Sequence, residues 1–237
     1  MDTCRQSKYP SKAGLKSMTD SSDLKALKDE NRLNLWLIIA FNSLFLYAVV
    51  QENAIRLEGI RAAFSNAENL IPVGFAIVAA TVVNGILSDE TKNRLVFFRW
   101  KDALPGHRAF SRHALEDPRI NIQTLREACG ADWPTTPAAE NQKWYSLYRV
   151  VADRPPVRQV HRDFLLLRDY AGMAALMIPI YGGAAIYTIA STKIALLYCL
   201  LLMAQFLVVR HSARNYGISF VKTVLAQVSV PSPTTTH

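Results

Sequence analysis

The chain has 237 residues, half of them hydrophobic, with 27 Lys and Arg against 19 Asp and Glu for a formal net charge of +8. Its mean hydropathy of +0.08 would suit a soluble protein, while three cysteines without CxxC spacing argue against a disulfide-stapled scaffold. No Walker loop, dinucleotide fingerprint or zinc-like ligand spacing occurs, so no metal and no cofactor is expected.

The averages conceal a sharp segregation. Leu33–Val50, Leu70–Ser88, Tyr170–Thr192 and Ile194–Val209 contain no Lys, Arg, Asp or Glu, and only Lys193 interrupts the last two. A helix crossing a bilayer needs roughly 20 mostly apolar residues. The pattern predicts an all-α, four-helix transmembrane protein with a small helical cytoplasmic domain inserted between spans two and three.

Residues 1–32 carry seven Lys or Arg against five acids and lack the compact apolar core and cleavage site of a signal peptide. From Ser22 and Asp23, LKALKDENRL suits a capped helix running into the membrane. Residues 33–88 form the first predicted hairpin, with Trp36 and Tyr47 near the ends of its first span, where amphipathic rings favour the interface. Ala76, Ala80 and Asn84 place small residues along one stripe of its second span. SDETKNRLVFFRWK reads as a continuation of that span.

Residues 89–169 hold 14 Lys or Arg, 11 acids and three histidines. The ALPG segment turns the chain, a short helix around Phe110–Glu116 ends before Pro118, and Asn121 caps a helix that stops at Gly130. Thr136 and Pro137 open another helix, and VRQVHRDFLLLRDY after Pro155–Pro156 continues into the third span. Residues 170–209 are the second hairpin, with Pro179 and Gly182–Gly183 marking a place to kink. In residues 210–237, HSARNYGISFVKTVLAQV reads as an amphipathic surface helix before a polar tail.

Lys and Arg flank the spans mainly on one side: Lys25, Lys28 and Arg32, Lys92 to Lys101, Arg158 to Arg168, Arg210 and Arg214. The positive-inside rule then places both termini and residues 89–169 on the cytoplasmic side. Asn42, Asn84 and Gln205 are intramembrane amides that glue helices together or line a water path. Four helices enclose little lumen, so a pore implies a homo-oligomer. No acid or histidine lies within a span, which argues against a proton-coupled carrier.

Arg99, Lys101, His107, Arg108, Arg112, His113 and Arg119 alternate with Phe98, Trp100 and Phe110, a mixture that can hold phosphates and stack rings. Lys143, Trp144, Tyr145, Tyr148 and Arg149 form a second such cluster. Arg94, Arg162 and Arg168 lie closest to the membrane and are read as topology signals that touch lipid headgroups. RAFSRH (Arg108–His113) and RPPVRQVH (Arg154–His161) resemble the Arg, four to six residues, His motif of HEPN ribonucleases, which implies as an alternative a membrane-anchored ribonuclease. A non-catalytic membrane scaffold is a third reading.

In layout, size and charge, and in LPGHRAFSRHALEDPRI with NQKWYSLYR, the chain resembles the small four-span membrane effectors of bacterial anti-phage defence, of the Hailong channel type. That resemblance implies a homo-oligomer, possibly a tetramer, that depolarises the membrane. It also implies control by a nucleotide or short oligonucleotide, including DNA, from a cognate nucleotide-producing enzyme. It implies no enzymatic activity in the chain itself.

Overall fold

The computed structural model describes residues 19–51, 70–130 and 133–230, and every regular element among them is helical, with no strand. In chain order the helices are α1 (Thr19–Val50), α2 (Leu70–Ile86), α3 (Asp89–Phe97), α4 (Ile122–Cys129), α5 (Pro137–Val151), α6 (Pro155–Thr188) and α7 (Thr192–Ser229). A 3-10 turn at Pro105–Arg108, a π-helical turn at Ala109–His113 and a short α-turn at Ala114–Glu116 lie between α3 and α4.

Among the described residues, three helices are long and apolar enough to cross a bilayer: α1 over Asn31–Val50, α6 and α7. Four were expected. The remaining apolar stretch, α2, is uncharged but covers only 17 residues. Its stripe of Ala76, Ala80 and Asn84, residues 1–18, the 52–69 connection and the 231–237 tail lie outside what is described.

Local capping sets the short helices where the sequence places them. The Asn121 side chain accepts from Thr124 N–H, and the Thr136 hydroxyl accepts from Ala139 N–H ahead of Pro137. Pro155 and Pro156 occupy the first turn of α6, where a missing N–H costs nothing. One boundary differs from expectation: the second apolar run does not continue into residues 89–101. The chain breaks at Ser88, whose hydroxyl accepts from Thr91 N–H, and Asp89 and Glu90 in the first turn complement the new helix N-terminus.

The largest departure concerns the C-terminal segment. No boundary falls near residue 210, and residues 192–229 form a single helix. At 1.5 Å per residue α6 and α7 are about 50 and 57 Å long, well beyond a hydrocarbon layer of about 30 Å. They pack against each other antiparallel after a tight turn at Ile189–Ser191, and α6 runs unbroken through Pro179. Their far halves join separate cores.

In the apolar half, Met173, Met177 and Tyr181 of α6 meet Ile39 and Leu46 of α1 and Tyr198 and Leu202 of α7. The Ser43 hydroxyl and Tyr181 hydroxyl lie 2.7 Å apart at its centre. Outward positions such as Leu37, Phe41, Leu197 and Leu200 are exposed, as helices in lipid require. In the polar half, the far end of α7 supplies Ala213, Phe220, Val221, Val224 and Leu225 to a core with Phe97, Phe110, Leu125, Trp144, Tyr148, Val157 and Phe164. The segment read as a surface helix is thus the spine of the polar domain. Every third or fourth apolar residue in it faces inward because α3, α5 and α6 surround it.

Where the halves meet, charges are buried. The Arg168 guanidinium donates to Asp169 at 3.0 Å and to Asp89 at 2.9 Å, and Lys92 Nζ lies 3.4 Å from Asp169. Lys92, Arg168 and Asp169 are each less than a tenth exposed. Gly172 lets the stem of Lys92 approach α6, since a Cβ there would meet Lys92 Cγ at 3.2 Å.

Two expectations follow. Asp169→Asn should destabilise the protein by about 3–5 kcal/mol, because it strands the buried Lys92 and leaves Arg168 with Asp89 alone, as read from denaturation in detergent. Phe220→Ala, in the spine rather than on a surface helix, should cost about 3–5 kcal/mol, and truncation after Arg210 should leave residues 89–164 open to proteolysis.

Candidate anionic-ligand site

The RAFSRH segment is held by a carboxylate that its own sequence does not contain. Glu140 on α5 is 3% exposed, and its Oε2 accepts the N–H of Phe110 at 2.8 Å and of Ser111 at 3.0 Å. Gly106 permits this close docking, as a Cβ at that position would fall 2.5 Å from Asn141 Oδ1 and 2.7 Å from Trp144 Cε3. The turn so anchored presents Arg108 and Arg112 outward, both exposed.

Of the seven predicted ligand residues, the fold gathers three. Arg108, Arg112 and Arg214 of α7 lie within electrostatic reach of Arg99. Burial, then the like charges of Arg108, Arg214 and Arg112, push Arg99 below the usual arginine range. Arg112 Nε donates to Glu116 at 2.7 Å, and Lys222 Nζ lies 3.4 Å from the same carboxylate, so one acid serves two cations. Arg210, Arg214 and Lys222 fall on one face of α7. Among the described residues Arg99, Arg108 and Arg214 have no carboxylate within ion-pairing distance. Clustered, unneutralised guanidinium groups repel one another, and a multivalent anion relieves that repulsion through bidentate bonds.

Arg119 grips Asp117 with Nη2 at 2.7 Å and Nε at 3.0 Å. His107 Nδ1 accepts from Leu104 N–H at 3.1 Å, closing the ALPG turn. Lys101 is exposed on the loop after α3. His113 is 5% exposed, and burial lowers it to about 4 despite Glu116, with Lys222, Arg112 and Arg99 adding to the shift. His161 is also buried, stacked 4.4 Å from Phe220, with its Nδ1 3.1 Å from the Tyr148 hydroxyl. Arg154 reaches the Gln227 carbonyl at 2.6 Å. Neither HEPN-like motif therefore presents an exposed histidine.

Trp144 and Tyr148 of the second aromatic cluster stack within the core at 5.9 Å, beside a cavity of about 370 Å³ that Phe164, Phe220 and Arg168 also line. In the apolar half, Asn42 Nδ2 donates to Ile38 of its own helix and Gln205 Nε2 donates to the Tyr170 hydroxyl at 2.8 Å. The side chain of Asn84 is outside the described set. Arg214, read from the sequence only as a topology signal, and Lys222, not singled out there, lie about 100 residues from the RAFSRH segment. The one available signal was their spacing on a helix face shared with Arg210.

No family model matches this chain, and neither a curated protein nor a solved structure is similar to it.

The buried His113 predicts a pH dependence. Its folded pKa lies below the unfolded value, so the unfolded chain binds more protons between about 4 and 6.5. Stability should be complete above pH 6.5 and fall as the pH drops towards 4. His113→Gln should flatten that slope in thermal unfolding measured across the range.

Proposed function

We propose that the protein is an oligomeric, channel-like membrane effector governed by an anionic nucleotide or oligonucleotide on its polar domain. One observation carries the reading: the domain that bears Arg99, Arg108, Arg112 and Arg214, whose like charges act on one another, has a core built from α6 and α7, the same helices that form the apolar half. Arg214 lies five residues beyond the end of the apolar run at Val209. An anion that draws the arginines together therefore acts on a rigid extension of a spanning helix, and the bound and free arrangements differ in a contact that both halves share.

In this reading α2 is the fourth span, both termini and the basic domain face the cytoplasm of a bacterial inner membrane, and copies of the chain assemble around the conduit. The balance of Lys and Arg around the apolar runs supports the orientation. The setting in anti-phage defence rests on the resemblance of layout alone. Burial of His113 and His161 favours binding over the ribonuclease alternative, because a catalytic imidazole must reach the substrate hydroxyl. The scaffold alternative draws no support from the arginine cluster.

Expression in bacteria with a potential-sensitive dye tests the proposal. Ligand-dependent depolarisation should vanish in Arg108→Gln with Arg214→Gln while the protein still assembles. Binding of short single-stranded oligonucleotides to the purified protein should weaken with salt, and each lost phosphate contact should reduce the log–log salt slope by about 0.7. A steady potential with cleaved RNA would instead favour the ribonuclease, and a steady potential with intact RNA the scaffold.

A further inference from the structure

The segment α3 to Lys101 lies along the boundary between the two halves. Two residues separate it from the end of α2 at Ile86, and Lys92 in its middle pairs with Asp169, immediately before the apolar run of α6. At its far end the Phe98 ring is 6.4 Å from that of Phe206, and the Arg210 guanidinium sits 3.4 Å over its centroid. Phe206 and Arg210 straddle the end of the apolar run of α7. Three separate contacts thus hold α3 against α6 and α7 where their apolar runs end.

Its two faces differ. Lys92, Asn93, Val96 and Phe97 are buried against α6 and α7. Thr91, Arg94, Leu95 and Phe98, at i, i+3, i+4 and i+7, line an outward hollow of about 250 Å³ with Arg99 and Trp100. Trp100 is 84% exposed and Phe98 59%. The backbone is left-handed at Phe98 (φ 49°) and Asp102 (φ 51°), residues that gain nothing from glycine's freedom. These two strained positions bracket Arg99, Trp100 and Lys101 and turn them outward. Arg210 further fixes Phe98 by donating from Nε to the Leu95 carbonyl at 3.3 Å.

We propose that the outer face of α3 and the Phe98–Lys101 loop form an interfacial binding site for anionic phospholipid. Trp100 and Phe98 enter the headgroup–acyl boundary, and Arg99 and Lys101 hold the phosphate, with Arg94 beside them. A soluble anion would engage the cations but leave an indole and a phenyl ring in water. At the depth of a membrane interface the same rings are in their preferred environment, and anionic headgroups supply the charge. The site rests on the membrane embedding of the apolar helices rather than on the channel reading. Arg99 is the one residue it shares with the arginine cluster.

The test uses the full chain in nanodiscs of phosphatidylcholine with or without phosphatidylglycerol, including lipids brominated near the head of the acyl chain. The difference in tryptophan quenching between the wild type and Trp100→Phe isolates this indole from Trp36, Trp133 and Trp144. Bromolipid should quench Trp100, and more strongly when phosphatidylglycerol is present. Lys101→Gln should lower the enrichment of phosphatidylglycerol around the protein by about fivefold, whereas Arg108→Gln should leave it unchanged. An unquenched Trp100 would overturn the proposal, as would quenching indifferent to headgroup charge. If inorganic phosphate abolished the preference for phosphatidylglycerol, the cations would belong to a soluble anion and the lipid site would fail.

Discussion

The antiparallel packing of α6 on α7 is the constraint on which the remainder depends. Each helix is nearly twice as long as a hydrocarbon layer is thick, and each must satisfy two solvents along its length. In the apolar half they present Tyr181 and Leu202 inward and leave Leu197 and Leu200 to lipid. In the polar half the same pair contributes Phe164 and Phe220 to an aqueous-type core, with α3, α4 and α5 packed around them. Small residues permit the close approach this needs: Gly182 faces Cys199, and a Cβ at Gly217 would fall 2.8 Å from both Phe97 and Phe164. Neither half closes without both helices.

Buried charge marks the junction of the two. Lys92, Arg168, Asp169 and Asp89 compensate one another where the helices leave the apolar half, so the join is specific in geometry as well as apolar. A helix pair that crosses such a joint without a break transmits displacement with little loss, because packed interiors deform poorly. That stiffness would give the proposed anion site at Arg214 mechanical consequence for the apolar helices. It equally makes α3, with its proposed lipid site, part of the same body, since α3 packs on both long helices.

The arginine cluster was only partly legible. Arg108 and Arg112 stood out because their stretch lies far from every apolar run, where topology does not call for charge, whereas Arg99 also counts among the cations that follow the second run. Arg119 and His107 look alike in sequence, yet one closes on Asp117 and the other caps the ALPG turn. Composition does not distinguish a cation with a local carboxylate from one without. Glu140, which orients the whole segment, sits 30 residues away and announces nothing in its own helix.

What the sequence by itself determined were the features that depend on neighbours in the chain: helix type throughout, the caps at Asn121 and Thr136, the proline start of α6 and the apolar runs. Those follow from backbone hydrogen bonding and from transfer of side chains out of water, and both are read over a few residues. Only the tertiary structure decided that residues 210–229 are a core spine, that the chain breaks at Ser88 to lay α3 along the boundary, and that Arg214 joins Arg108. An amphipathic helix of this kind carries the same pattern whether its apolar face meets a surface or a core, and which it meets is set by helices 50 to 120 residues distant.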